Sequence, residues 1–443
     1  MKGNSLEHKI TTPFLLRFTF PTIVVMIFST MYSMVDGAFV SRLIGTDALS
    51  SVNIVMPIIT VATSLGMMFA TGGSAISGKL LGEGKDEKAR QVFSFMALAT
   101  FIVGIILAVL SLIFINPLLK LLGVTDDIYQ YCYDYTFYIL LFFPLSVTSM
   151  IFQIYFITAG KATLGMVINI LSGVTNIILD YVFIKLLNMG IAGSAIATSI
   201  GFALTTVVGF LYFLLSRKNA IHLTKPVFDK RVLIDGCKNG ASEMVSNLSQ
   251  SVTLILYNNI IIRIAGVNGV ASITILLYIL QLIVAIFMRY STGVSPLISY
   301  NYGKEAHSEL KKIYKTSLIF IGIFSLIVFI FGHIFIGNLV SFFSGSNENV
   351  YNMAVDGFKI FSLGFLFMGF SIYGSAMFTS LSNGKVSAII SLLRTFVFIV
   401  ITAIILPMIF GLNGVWASFA VSELLGMLVA IYYFRKLKAQ YKY

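Results

Sequence analysis

Apolar residues fall along this chain in long blocks rather than in alternation. Asp, Glu, Lys and Arg are absent from 91–119, 135–160, 186–216, 264–288, 316–347, 360–384 and 395–422. Each stretch exceeds the roughly 20 residues that carry a helix across a bilayer core. Ten-residue pieces of period-two alternation, the mark of a membrane β-barrel, do not occur. The pattern predicts spans at about 14–41, 49–76, 91–115, 132–158, 163–186, 192–215, 235–263, 270–298, 313–337, 354–380, 386–408 and 413–434. That is an all-α integral membrane protein with about twelve transmembrane helices.

The predicted helices repeat. "SRLIGTDALSS" (41–51) aligns with "IRIAGVNGVAS" (262–272), "AGKATLGMVINIL" (159–171) with "NGKVSAIISLLRT" (383–395), and "GSAIATS" (193–199) with "GVWASFA" (414–420), all at nearly one offset. The longest charged connection carries Pro226 and lies near the midpoint, so the expected organisation is an N-lobe at 1–215, a linker at 216–234 and a C-lobe at 235–443. Six helices per half is an even number. The two pseudo-symmetric six-helix bundles are therefore expected to be parallel repeats about an axis along the membrane normal, enclosing a central cleft that can open to either side.

Composition agrees: of 443 residues 58% are hydrophobic and 11% charged, and the mean hydropathy is +0.93. A net charge of +12 raises the question of nucleic acid, but the basic residues settle it by position. They cluster at 79–90, 217–238, 304–315 and 435–442, at alternate connections, so the positive-inside rule places both termini and these loops in the cytoplasm. No nucleic-acid partner is expected. Cys132 and Cys237 are isolated, the four histidines are scattered, and "GEGKDE" (82–87) lacks the Walker spacing. No catalytic or ATP-hydrolysing motif is present, the expected class is a secondary transporter rather than an enzyme, and no cofactor or bound transition metal is expected. The apolar run from Phe14 has no small-residue cleavage site close behind it and is read as the first span.

Within the spans, polar residues are sparse and grouped. Asp36 lies late in the first, where a carboxylate costs on the order of 3 kcal/mol to insert; the competing reading is a hydrated group near the far interface beside Arg42. In the fifth span Asn169, Asn176 and Asp180 are spaced seven and four apart and return to one face. Such a face offers oxygens to a cation or a proton, or else forms a hydrogen-bonded seam between helices. The seventh span carries Glu243, Asn247, Gln250 and Tyr257 on one face, and the eighth Tyr278, Gln281 and Arg289. These are candidates for lining the substrate cleft, together with Asn169. Glu243 also reads as interfacial, while Arg289 reads as a partner of Glu243, a contact for an anionic group or a snorkelling side chain. By the repeat, Asp36 corresponds to Tyr257, and the helix matching the fifth span bears Arg394 and no acid. Pro21, Pro57, Pro144, Pro296 and Pro407 fall inside spans, where each permits a bend.

Taken together, "VDGAFVSRLIGTDALSS" (35–51), "GKLLGEGKDEKAR" (78–90), "TAGKATLGMVINILSGVTNIILD" (158–180) and "GVSPLISYNYGKE" (293–305) resemble, in order and spacing, the multidrug and toxic compound extrusion (MATE) family of cation-coupled efflux transporters. The resemblance covers essentially the whole chain. It implies an N-lobe site for H⁺ or Na⁺ at the positions matching Asp36, Asn176, Asp180 and Thr198. It further implies exchange of that ion for amphipathic, cationic organic compounds leaving the cytoplasm of a bacterial cell, across the inner membrane, by a functional monomer. Other members place an acid in the tenth helix, and "FSLGFLFMGFSIYGSAMF" (361–378) has none. The alternatives are a lipid-linked saccharide flippase or an exporter of anionic or zwitterionic metabolites, to which Arg289 would point. A membrane receptor or scaffold would need neither the repeat nor two intramembrane acids.

Overall fold

The structure is a computed structural model; it describes residues 5–217, 219–344 and 347–443, and the side chain of Gln250 lies outside the described residues. Helices follow one another with no strand among the described residues. In the first half they are α1 (Thr12–Leu43), α2 (Thr46–Gly82), α3 (Asp86–Ile113), the short α4 (Ile115–Leu121), α5 (Tyr129–Leu141), α6 (Phe143–Thr158), α7 (Ala162–Asp180) and α8 (Gly190–Leu215). In the second they are α9 (Lys230–Gly303), α10 (His307–Ser344), α11 (Glu348–Phe361), α12 (Phe365–Ser380), α13 (Gly384–Leu392) and α14 (Ile399–Tyr441). Among the described residues nine helices are long and apolar enough to cross a bilayer, and ten if α5 and α6, bent by 57° at Phe142, form one span. Pro144 sits in the first turn of α6, where its missing amide hydrogen is tolerated, so the expected bend falls at this junction.

Two very long helices are each a pair of arms. α9 breaks at Gly266 (φ 61°) and α14 at Gly411 (φ 55°), in the left-handed region that glycine adopts without a steric penalty. These breaks fall in the predicted gaps between the seventh and eighth and between the eleventh and twelfth spans. Both have partners in the first half, because Gly45 and Gly190 also turn at positive φ. The turn after α6 places Gly160 at φ 69° with Lys161 N–H donating to Phe156 O; after α12, Ser382 stands at φ 60° and Asn383 N–H donates to Phe378 O. Gly160 therefore pairs with Ser382, two residues from the Gly384 that sequence matching selects. Backbone turns retain the repeat where side chains have drifted.

Contacts group the chain into two compact units, one of Met1–His8 with Arg17–Gly240, the other of Lys9–Leu16 with Ala241–Tyr443. In the first, α2 meets the start of α9 backbone to backbone, with Gly72 against Gly236 and Gly240 against Met68, as small residues allow between membrane helices. An aromatic cluster of Phe93, Phe152, Tyr155 and Phe213 closes α3, α6 and α8 together. In the second unit Phe361, Phe365 and Phe419 stack between α11, α12 and α14.

Candidate functional site

In the first unit, α1 lies directly on α7 because Gly173 leaves a gap that Phe28 and Tyr32 fill. Gly201 of α8 packs on Ser172 and Asn176, and Ser172 and Thr205 hydroxyls meet at 2.8 Å across that contact. Close approach of three helices brings short side chains together. Asp36 and Asp180 carboxylates lie within electrostatic reach of each other. Ser194 Oγ of α8 donates to Asp36 Oδ1 at 3.4 Å, and Asn176 Nδ2 donates to Thr198 Oγ1 at 3.4 Å. Tyr135 of α5, 2% exposed, lies against Thr198 with both carboxylates within electrostatic reach.

What this cluster lacks is donors. Asp180 is 0% exposed and both its carboxylate oxygens, like Asn176 Oδ1, have no hydrogen-bond partner. Buried acceptors left open cost about 1–3 kcal/mol each, more when charged, and two facing carboxylates require a proton or a cation between them. No group of three His, Cys, Asp or Glu residues suited to a metal occurs among the described residues. The donor set is two carboxylates with neutral amide and hydroxyl oxygens, which suits H⁺ or a hard monovalent cation. Immediately after Asp180 the helix widens into a π-turn at Tyr181–Leu186, a distortion frequent at functional sites.

The second unit answers with a different cluster. Arg394, in the π-turn Leu393–Phe398, donates from Nη1 to Glu423 Oε1 at 3.1 Å, and Ser371 Oγ donates to Glu423 Oε2 at 3.4 Å. Gly426 makes room for the arginine stem. Glu243 borders a cavity of about 20 Å³ with Ser246, Ser291, Ser375, Ser391 and Arg394, large enough for about one water. Glu243 Oε2 and Ser291 Oγ are without partners there, and both Arg394 and Arg289 act electrostatically on Glu243.

The sequence-predicted residues thus divide. Asp36, Asn176, Asp180 and Thr198 converge in one place. Asn169, on the same helix, instead donates to Gly165 O at 2.8 Å. Glu243 is within electrostatic reach of Arg289. Tyr257 is 1% exposed and tied to Ser418 Oγ at 2.8 Å, inside the second unit rather than in an open pocket. Asn247 is half-buried, and Tyr278 and Gln281 are exposed. Sequence reasoning overlooked Tyr135, Ser194 and Glu423. A signal for Glu423 existed, since an arginine inside a span needs a counter-ion, and Glu423 is the one acid after Arg394 in the chain.

A repeated helical bundle holding a donor-poor pair of carboxylates fits a membrane transporter. Comparison with known proteins supplies the family: the MatE family model matches twice, over residues 21–182 and 244–405, and the chain belongs to that family. Multidrug export protein MepA of Staphylococcus haemolyticus is 25% identical over 426 residues, covering 94% of this chain and 92% of its own length. MepA of Staphylococcus saprophyticus is 25% identical over 428 residues, with the same coverage. Among solved structures, a multidrug resistance MATE family transporter of the MOP superfamily in its outward-facing conformation has a TM-score of 0.93 at 22% identity, covering 100% of this chain and 99% of that one. A MOP superfamily transporter from Pyrococcus furiosus, described as having a binding pocket of reverse polarity, gives a TM-score of 0.92 at 22% identity with the same coverage. The protein is a multi-pass membrane protein of the MATE fold, and its bacterial relatives indicate the plasma membrane.

Proposed function

We propose that this protein exports amphipathic, cationic organic compounds from the cytoplasm in exchange for H⁺ or Na⁺, by alternating access, as a monomer in the bilayer. The observation that carries the reading is the Asp36–Asp180 pair, in which Asp180 is buried with Asn176 and neither of its oxygens has a donor. An inbound ion bound there supplies the missing positive charge. Releasing it leaves two facing carboxylates, a state the unit relieves by rearranging its helices, and an ion can drive a conformational equilibrium only through such a difference in affinity between states. Asn176 and Thr198 complete the oxygen set, and Ser194 holds Asp36 in place. Export of drugs by the MepA relatives supports the choice of cargo.

An anionic or lipid-linked saccharide cargo requires a strongly cationic cleft. Arg394 is committed to Glu423, which weighs against that alternative. The test is efflux of a fluorescent cationic dye from proteoliposomes under a pH gradient or a Na⁺ gradient imposed separately, for wild type and Asp36→Asn. One gradient is expected to drive efflux in wild type and to fail in the variant; dye transport unaffected by both gradients would overturn the reading.

A further inference from the structure

Apart from the two charged clusters, the first unit holds a groove of about 660 Å³ between α3, α6, α8 and the linker that follows α8. That volume lies within the range of small-ligand sites, roughly 300–1,000 Å³. Its walls are apolar, with Leu98, Phe101, Phe210 and Leu214 among them, and three of these four (Leu98, Phe210 and Leu214) are 40–47% exposed, so the groove opens along its side. Wall hydroxyls are already committed: Thr148 donates to Pro144 O and Thr206 to Leu145 O, each at 2.6 Å.

One end is chemically distinct. Arg217, Thr224 and Lys225 line the groove where the linker borders it, and neither cation has an ion-pair partner among the described residues. Thr224 Oγ1 is buried and without a partner. The linker bearing these groups is held rigidly, since Thr224 N–H donates to Ser94 Oγ at 2.8 Å, Leu223 N–H to Phe213 O at 2.9 Å, and Arg90 Nε to Ala220 O at 2.9 Å. None of the groove's lining residues is acidic.

We propose that this groove binds an anionic glycerophospholipid, with its phosphodiester between Arg217, Lys225 and the Thr224 hydroxyl and an acyl chain along the α3–α8 wall. Two cations and a hydroxyl without a partner match a phosphodiester's charge and acceptor oxygens. Fixed cations exclude the cationic compounds proposed as cargo, and an apolar trough adds nothing for free phosphate. The basic end lies in the connection that charge distribution places in the cytoplasm, where basic pockets between membrane helices bind anionic head groups.

The test is native mass spectrometry of the delipidated full-length protein with equimolar dioleoyl-phosphatidylglycerol and dioleoyl-phosphatidylcholine. Wild type is expected to retain phosphatidylglycerol preferentially, by on the order of tenfold for two basic contacts. Arg217→Gln with Lys225→Gln removes the preference, and Arg217→Lys with Lys225→Arg retains it. Thr224→Val, nearly isosteric and charge-neutral, weakens it by about two- to tenfold, as one hydrogen bond implies, and serves if the double variant fails to fold. Val207→Trp fills the groove and lowers adducts of both lipids. Millimolar inorganic phosphate is expected not to compete. Equal retention of the two lipids by wild type, an undiminished preference in the folded double variant or in Thr224→Val, or displacement by phosphate overturns the proposal.

Discussion

Two equivalent places in the two halves have been put to opposite use. Pairing the turns at Gly45 with Gly266 and at Gly160 with Ser382 sets Asp36 against Tyr257 and Asp180 against Thr402. In the first unit these positions hold facing carboxylates, with Ser194 the donor to Asp36 and none for Asp180. In the second, Tyr257 bonds to Ser418 at 2.8 Å, and Thr402 donates to Ser418 O at 2.9 Å. The same backbone crossing holds two carboxylates in one repeat and bonded hydroxyls in the other. A duplicated scaffold can thus keep its geometry while one copy carries paired acids and the other neutral hydroxyls.

The second unit does hold charge, but elsewhere, and it is already balanced. Arg394 and Glu423 are 7% and 5% exposed and satisfy each other. A complete buried pair is weak evidence for stability in itself, whereas removing one partner is strongly destabilising. Glu243 shares a water-sized cavity with Arg394 and keeps an oxygen unengaged.

The contrast can be broken most decisively at Asp180. Asp180→Asn is expected to cut gradient-driven dye efflux by at least about tenfold, or about 1.4 kcal/mol of driving interaction, while the melting temperature in detergent is kept; wild-type rates in the folded variant would remove the coupling site from the first unit. Next in size is Glu423→Gln, which strands a buried guanidinium. The expected loss is about 3–5 kcal/mol of stability, read as a fall in melting temperature, and Arg394→Gln added to it should recover part of that loss. A merely additive double variant would mean that the pair is not coupled. Glu243→Gln is expected to shift relative transport of different dyes by about two- to tenfold, the scale of one buried hydrogen bond, with ion dependence retained. Loss of all ion dependence there would move coupling to the second unit. The smallest effect sharpens the comparison from the other side: Thr402→Val should cost about 1 kcal/mol of stability and leave the ion response of efflux intact.

Much of the architecture was legible beforehand. Charge-free blocks located the helices, and the breaks at Gly266 and Gly411 fall in gaps between predicted spans. Asp36 and Asp180 were conspicuous because an acid is rare in an apolar span. Asn176 followed from helical spacing. Other members of the sites were hidden for a common reason: Tyr135 and Ser194 belong to residue types ordinary in any membrane helix, and Glu423 stands with no polar stripe on its own helix to announce it. Tyr257 was misjudged in the same way, since a polar face along one helix does not say whether the next helix closes over it.

By itself, then, the sequence determined the class of structure, its duplication and the positions where ionisable groups enter the membrane. These follow from the cost of burying charge and unpaired backbone in lipid, which every residue registers locally. The tertiary structure alone decided which of those groups are neutralised. Arg394 finds Glu423 across helices, Tyr257 finds Ser418, and Asp180 meets Asp36 rather than a donor. Whether a buried charge is satisfied depends on partners distant in the chain and brought to within about 3 Å by packing, and no periodicity along a single helix encodes that distance.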